Sequence, residues 1–134
     1  MNTQLLEEVK KLIQEEPLRI HMGDWLYPST RTPCGTVGCI AGWTSMLVQR
    51  QKLGLTDNER WVIRAHAELN RRTDNHFYSI AREALEINAR EADSLFYTTN
   101  WPREFIERYY AVNDPVETAR VVCDRIDHFI ATGE

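Results

Sequence analysis

Residues capable of chemistry are unevenly spread along this chain. Two of its three cysteines, Cys34 and Cys39, and three of its six glycines fall between Pro33 and Trp43, in the run PCGTVGCIAGW. A thiol just ahead of a helix N-terminus is held toward its thiolate form by the helix dipole. With the second helix beginning near Thr36, Cys34 takes that position and becomes a candidate nucleophile. Its base would be His21 or one of the other histidines, His66, His76 and His128. The same start turns the amides of Gly35, Thr36, Val37 and Gly38 toward a small anion such as a carboxylate or phosphate. Trp25 and Trp43 flank the run and could wall such a ligand.

Plainer readings stand beside each of these. The run lacks the lysine of a phosphate loop and the preceding strand of a dinucleotide fingerprint. Cys34, Cys39 and His21 could supply three metal ligands, but structural zinc sites use closely spaced Cys pairs, so no metal or cofactor is assigned. Gly38 and Gly42, four apart, would share one helix face with Ala41 beside them and let a neighbouring helix approach closely. Tryptophans more often plug a core, their indole N–H on a carbonyl, than line a ligand wall. Near the end of the chain, Asp124 and His128 could pair across one turn; their plainer role, with Asp127, is a solvated helix edge beside Cys123 on the buried stripe.

The elements that must position these residues are helical. Leu5, Leu6, Val9, Leu12 and Ile13 give a first helix over about Thr3–Glu15, capped by Thr3 and stopped by Pro17. From Leu18 to Cys34 the pattern lapses into a short extended stretch and a loop punctuated by Gly23, Pro28 and Pro33. A second helix runs from near Thr36 to before Gly54. A third follows the capping box Thr56–Glu59 and ends near Arg72, and a fourth carries Phe77, Ala81 and Leu85. A fifth follows the capping box Asn88–Glu91. A sixth starts at Pro102 with Phe105, Ile106, Tyr109 and Tyr110 facing inward, and the last carries Val116 through Ile130 to Gly133. The turn residues Leu53, Leu55, Thr56 and Glu59 are echoed by Leu85, Ile87, Asn88 and Glu91, an echo that shared turn grammar explains better than duplication. The expected fold is all-α: a single domain over residues 1–134, about seven helices in antiparallel pairs, with one irregular loop region between the first two.

Composition narrows the class of partner. A formal net charge of −4 argues against a broad nucleic-acid face, and Glu68 and Asp74 interrupt the best basic patch, Arg64, Arg71 and Arg72. A helix-turn-helix built on the fourth and fifth helices would point Glu91 and Asp93 at phosphates. No apolar run nears the roughly 20 residues that span a bilayer, and no signal-peptide pattern opens the chain. An odd number of cysteines fits a reducing cytoplasm.

One resemblance is carried by particular residues. Cys34-Gly35-Thr36-x-x-Cys39-Ile40-Ala41-Gly42-Trp43, followed by Leu85-x-Ile87-x-x-x-Glu91-Ala92-x-x-Leu95-Phe96-Tyr97 and Trp101-Pro102, resembles a family of small uncharacterised bacterial and bacteriophage proteins. The likeness covers Met22 to Ile130 and implies no activity. Glu86 stands where that family often has glycine. Together these readings favour a non-enzymatic binding or interaction module for a protein or a small anionic ligand. A thiol-dependent hydrolase or transferase using Cys34 with a histidine is the alternative, and a Cys/His metal site the second.

Overall fold

Asn2, rather than Thr3, opens the first helix: its side-chain oxygen accepts the Leu5 amide at 3.1 Å. Helix α1 spans Thr3–Glu15 and buries Leu6, Val9, Leu12 and Ile13. The computed structural model describes residues 1–32, 34–56, 61–71 and 77–134. After α1, Pro17 starts a 3-10 turn, Pro17–Arg19, and the chain then does what a period of two over so few residues could not announce. Leu26–Pro28 (β1) and Thr36–Gly38 (β2) pair antiparallel, Tyr27 opposite Val37, and Ile20 adds a parallel bridge to Gly38. The expected loop therefore closes into a small sheet.

That sheet displaces the start of the second helix. Thr36, Val37 and Gly38 are extended, and α2 spans Ile40–Lys52 with Cys39 as its cap, the thiol sulfur accepting the Gly42 amide at 3.4 Å. Every residue from Ile40 to Leu47 is buried, so α2 has no solvent face over its first two turns. It is the central helix and packs on α1, α3 (Trp61–Arg71) and α4 (Phe77–Leu85). The expected capping box at Thr56–Glu59 reaches residues outside those described.

Helix α5 (Ala89–Phe96) has the expected capping box: Asn88 accepts the Glu91 amide at 2.8 Å, and Glu91 accepts the Asn88 amide at 2.9 Å. The echoed turns share a backbone motif. Leu55 donates to the Arg50 carbonyl and Ile87 to the Arg82 carbonyl, closing Schellman-type turns around Gly54 (φ 62°) and Glu86 (φ 57°). Glu86 thus adopts the left-handed conformation that glycine would take freely.

Helix α6 (Arg103–Ala111) begins one residue after Pro102 and buries Phe105, whereas Tyr110 of its expected inner face is 65% exposed. Helix α7 (Pro115–Thr132) is capped by Asp114 and closed by Gly133 at φ 73°. Val116, expected on its buried stripe, is 51% exposed, and Arg125 is buried instead. Among the described residues there are seven α-helices and one two-stranded sheet, an all-α fold, and no described helix is long and apolar enough to cross a membrane.

Candidate ligand-binding groove

In the Pro33–Trp43 run Gly35 takes a left-handed φ of 79°, and the body that Gly38 and Gly42 admit is not a helix. A Cβ on Gly42 would stand 1.7 Å from the Trp25 carbonyl oxygen, and one on Gly38 would stand 2.4 Å from the same atom. The Trp25 carbonyl also accepts the Cys39 amide at 3.2 Å. The close approach is therefore that of the chain entering β1, seated against the start of α2. Gly38 lies in β2, so the two glycines do not form one helical face.

Moving the helix start exchanges the roles of the two thiols. Cys39, not Cys34, sits at the positive end of α2, but burial pushes its thiol up to about 11 and outweighs the helix amides. Cys34 is half-buried five residues before the helix cap; its sulfur lies 3.6 Å from both the Thr32 hydroxyl and the Thr36 carbonyl. Thr36 in turn shares a 2.8 Å hydrogen bond with Nδ1 of His66, a buried imidazole held below the usual histidine range by desolvation. His21 is turned elsewhere, 3.4 Å from the Asp24 carboxylate and edge-on to Tyr27. Cys34 and His21 thus engage different partners, whereas Cys34 and His66 both contact Thr36.

The amides nominated for an anion lie in a turn and a strand, not at a helix N-terminus. Gly35 donates to the Thr32 carbonyl at 3.1 Å, and Thr36, Val37 and Gly38 sit in register with Pro28, Tyr27 and Leu26. Trp43 is a core plug, its indole donating to the Arg19 carbonyl at 2.8 Å, and Trp101 does the same to Leu95 at 2.9 Å. Trp25 is half-buried and stacks on Phe77. Asp124 pairs with Arg108 at 2.7 Å and Asp127 with Lys10, so both belong to interhelical contacts. No group of three or more potential metal ligands occurs among the described residues.

A concavity of about 1110 Å³ lies beside this run, between α1, α2 and the start of α3. Leu12, Leu47, Trp61 and Val62 form a buried floor, flanked by the half-buried Leu5, Val48 and Leu55. The rim is polar and exposed, with Gln4, Glu8, Lys11 and Glu15 from α1 and Gln51 from α2. Arg19 and Arg50 complete the walls. Arg19 donates to the Leu12 carbonyl at 2.9 Å and lies over Trp43, and Arg50 lies 4.8 Å over the Trp61 ring. Of the described residues nominated from sequence, Cys34 alone lines this groove, and His76 lies outside the described residues.

Comparison with family models, with curated proteins and with solved structures finds no match to this chain. The groove residues escaped the sequence reading because each satisfies helix grammar by itself. The available signal was α1's outer edge, where Leu5 and Leu12 border Glu8, Lys11 and Glu15, an apolar margin wider than packing on one neighbour needs.

Proposed function

We propose that this protein is a binding module whose ligand lies in the groove between α1, α2 and α3. The observation that carries the reading is the groove itself, a space of about 1110 Å³ in which the half-buried Leu5, Val48 and Leu55 lie among polar and charged side chains. Concave apolar surface with a few placed polar groups is what recognition sites share. Arg19 and Arg50, braced by main chain and ring, give its walls a defined shape.

The test is titration with the environment-sensitive dye 8-anilinonaphthalene-1-sulfonate, comparing the wild-type chain with Val48→Trp, which fills the groove from its half-buried wall. Saturable enhancement in the wild type that is lost in the variant, at unchanged thermal midpoint, is the expected result. Equal dye binding by both proteins would move the site elsewhere. A thiol-dependent hydrolase or transferase is the second reading, supported by the half-exposed Cys34 thiol on the groove wall. It requires hydrolysis or group transfer that Cys34→Ser removes while dye binding persists.

A further inference from the structure

Among the described residues one hydrogen bond joins two buried side chains: the Thr36 hydroxyl and Nδ1 of His66 meet at 2.8 Å. It ties β2 to α3. The Thr36 carbonyl also gathers the Thr32 hydroxyl at 3.2 Å and the Cys34 thiol at 3.6 Å. The turn that carries Cys34 is thereby anchored to α3 through a single residue.

That bond suits a neutral ring. The Thr36 hydroxyl has no other acceptor among the described residues, which makes it the donor and Nδ1 the acceptor. A proton taken up at Nδ1 turns that acceptor into a donor, strands the hydroxyl hydrogen and places a positive charge in the interior. No carboxylate among the described residues offsets the charge, for burial is the cause that holds His66 below the usual histidine range. Of the elements packed on α3, β2 carries no charged side chain and α2 carries Arg50 and Lys52 in its last turn. The turn before β2 adds the exposed Arg31 and the half-buried Cys34. On α3 itself Arg64 and Arg71 are exposed, and Glu68 lies 3.7 Å from Arg71.

We propose that the Thr36–His66 hydrogen bond is an acid-sensitive clasp: protonation of His66 frees β2 from α3 and uncovers the turn that carries Cys34. A ring released to water takes up a proton more readily than the buried one. The clasp therefore holds at neutral pH and loosens as pH falls below the ordinary histidine value of about 6.5. This device is independent of what the groove binds.

The test is native-state hydrogen exchange at about pH 7.5 and about pH 5, each amide corrected for its intrinsic pH dependence. The Val37 amide of β2 reports the clasp, and the Val122 amide of α7 reports the rest of the core. At the lower pH, Val37 protection should fall by about tenfold while Val122 protection changes by less than about twofold. Modification of Cys34 by dithiodipyridine, taken relative to the urea-unfolded protein at the same pH, should quicken in parallel. His66→Gln, whose side chain does not charge, should flatten both responses. Unchanged Val37 protection or an unchanged Cys34 ratio overturns the clasp. Equal losses at Val37 and Val122 overturn it in favour of general acid destabilisation, and a fall that persists in His66→Gln overturns it in favour of another group. Should that variant fail to fold, the imidazole nitrogen resonances of His66 in the wild type decide. Titration of the ring over the same pH range as the Val37 response supports the clasp, and titration outside that range overturns it.

Discussion

The three thiols sit in surroundings that should separate them chemically. Burial pushes Cys39 and Cys123 each up to about 11, and Cys123 is further occupied by contact with the Lys10 carbonyl. Cys34 is half-buried on a groove wall. Since the thiolate is the reactive form, iodoacetamide at about pH 8 should label Cys34 first in the native protein, with Cys39 and Cys123 following only on unfolding. Peptide mapping by mass spectrometry over time reads the order. Labelling of Cys39 at the rate of Cys34 would contradict the burial that seals the start of α2. Clustering of Cys and Gly in the sequence was enough to direct attention to this region. It did not tell which cysteine caps the helix, because that depends on a sheet pairing with residues near Trp25, well back in the chain.

Among the elements, the turn after α4 carries a removable strain. Glu86 holds φ 57° with its side chain exposed, so replacing it with glycine relieves the left-handed conformation without opening a cavity. Glu86→Gly should stabilise the fold by about 1 kcal/mol, seen as a higher midpoint in urea at unchanged slope. A lower midpoint would mean that the Glu86 side chain makes a stabilising contact outweighing the backbone. Helices with one apolar stripe and explicit end signals, α1, α5 and α7, were legible in the sequence to within a residue or two. Strands β1 and β2 were not, since three residues cannot display an alternation, and α2 was misplaced because a helix buried all round shows no stripe to time its start. The groove belongs to no single element. It arises where the outer edge of α1 meets α2 and the start of α3, and the apolar margin of α1 records one side of that junction only.

For the molecule as a whole, the least expected contributor to the core is Arg125. Its side chain is 0% exposed among the rings of Trp101, Phe105 and Phe129, which lie 5.8–5.9 Å from the guanidinium carbon. One terminal nitrogen donates to the Ser94 carbonyl and hydroxyl and to the Glu134 main-chain oxygen, tying α7 to α5 and to the residues after Gly133. Its Nε and other terminal nitrogen have no partner among the described residues, and burial pulls its pKa down to about 10. Arg125→Met keeps most of the volume, removes the unpartnered donors and leaves acceptors close enough to the surface to be hydrated, so the thermal midpoint should hold or rise. Arg125→Ala leaves a cavity under three rings and should cost about 3 kcal/mol. A loss in Met as large as that in Ala would show that the three hydrogen bonds, not the packing, carry the contribution of Arg125.

The seat of β1 on Gly38 and Gly42 has a consequence for how the protein opens. A two-stranded sheet of this size has little stability of its own. With the Trp25 carbonyl pressed against the glycines at the start of α2, separating the strands also exposes the most buried turn of the molecule. The hairpin and the central helix then form one cooperative unit despite their different secondary structure. Native-state hydrogen exchange should therefore find the Tyr27 and Val37 amides sharing the opening free energy of Met46. Exchange at the rate of the surface turn around Ser29 would instead make the hairpin an independent flap.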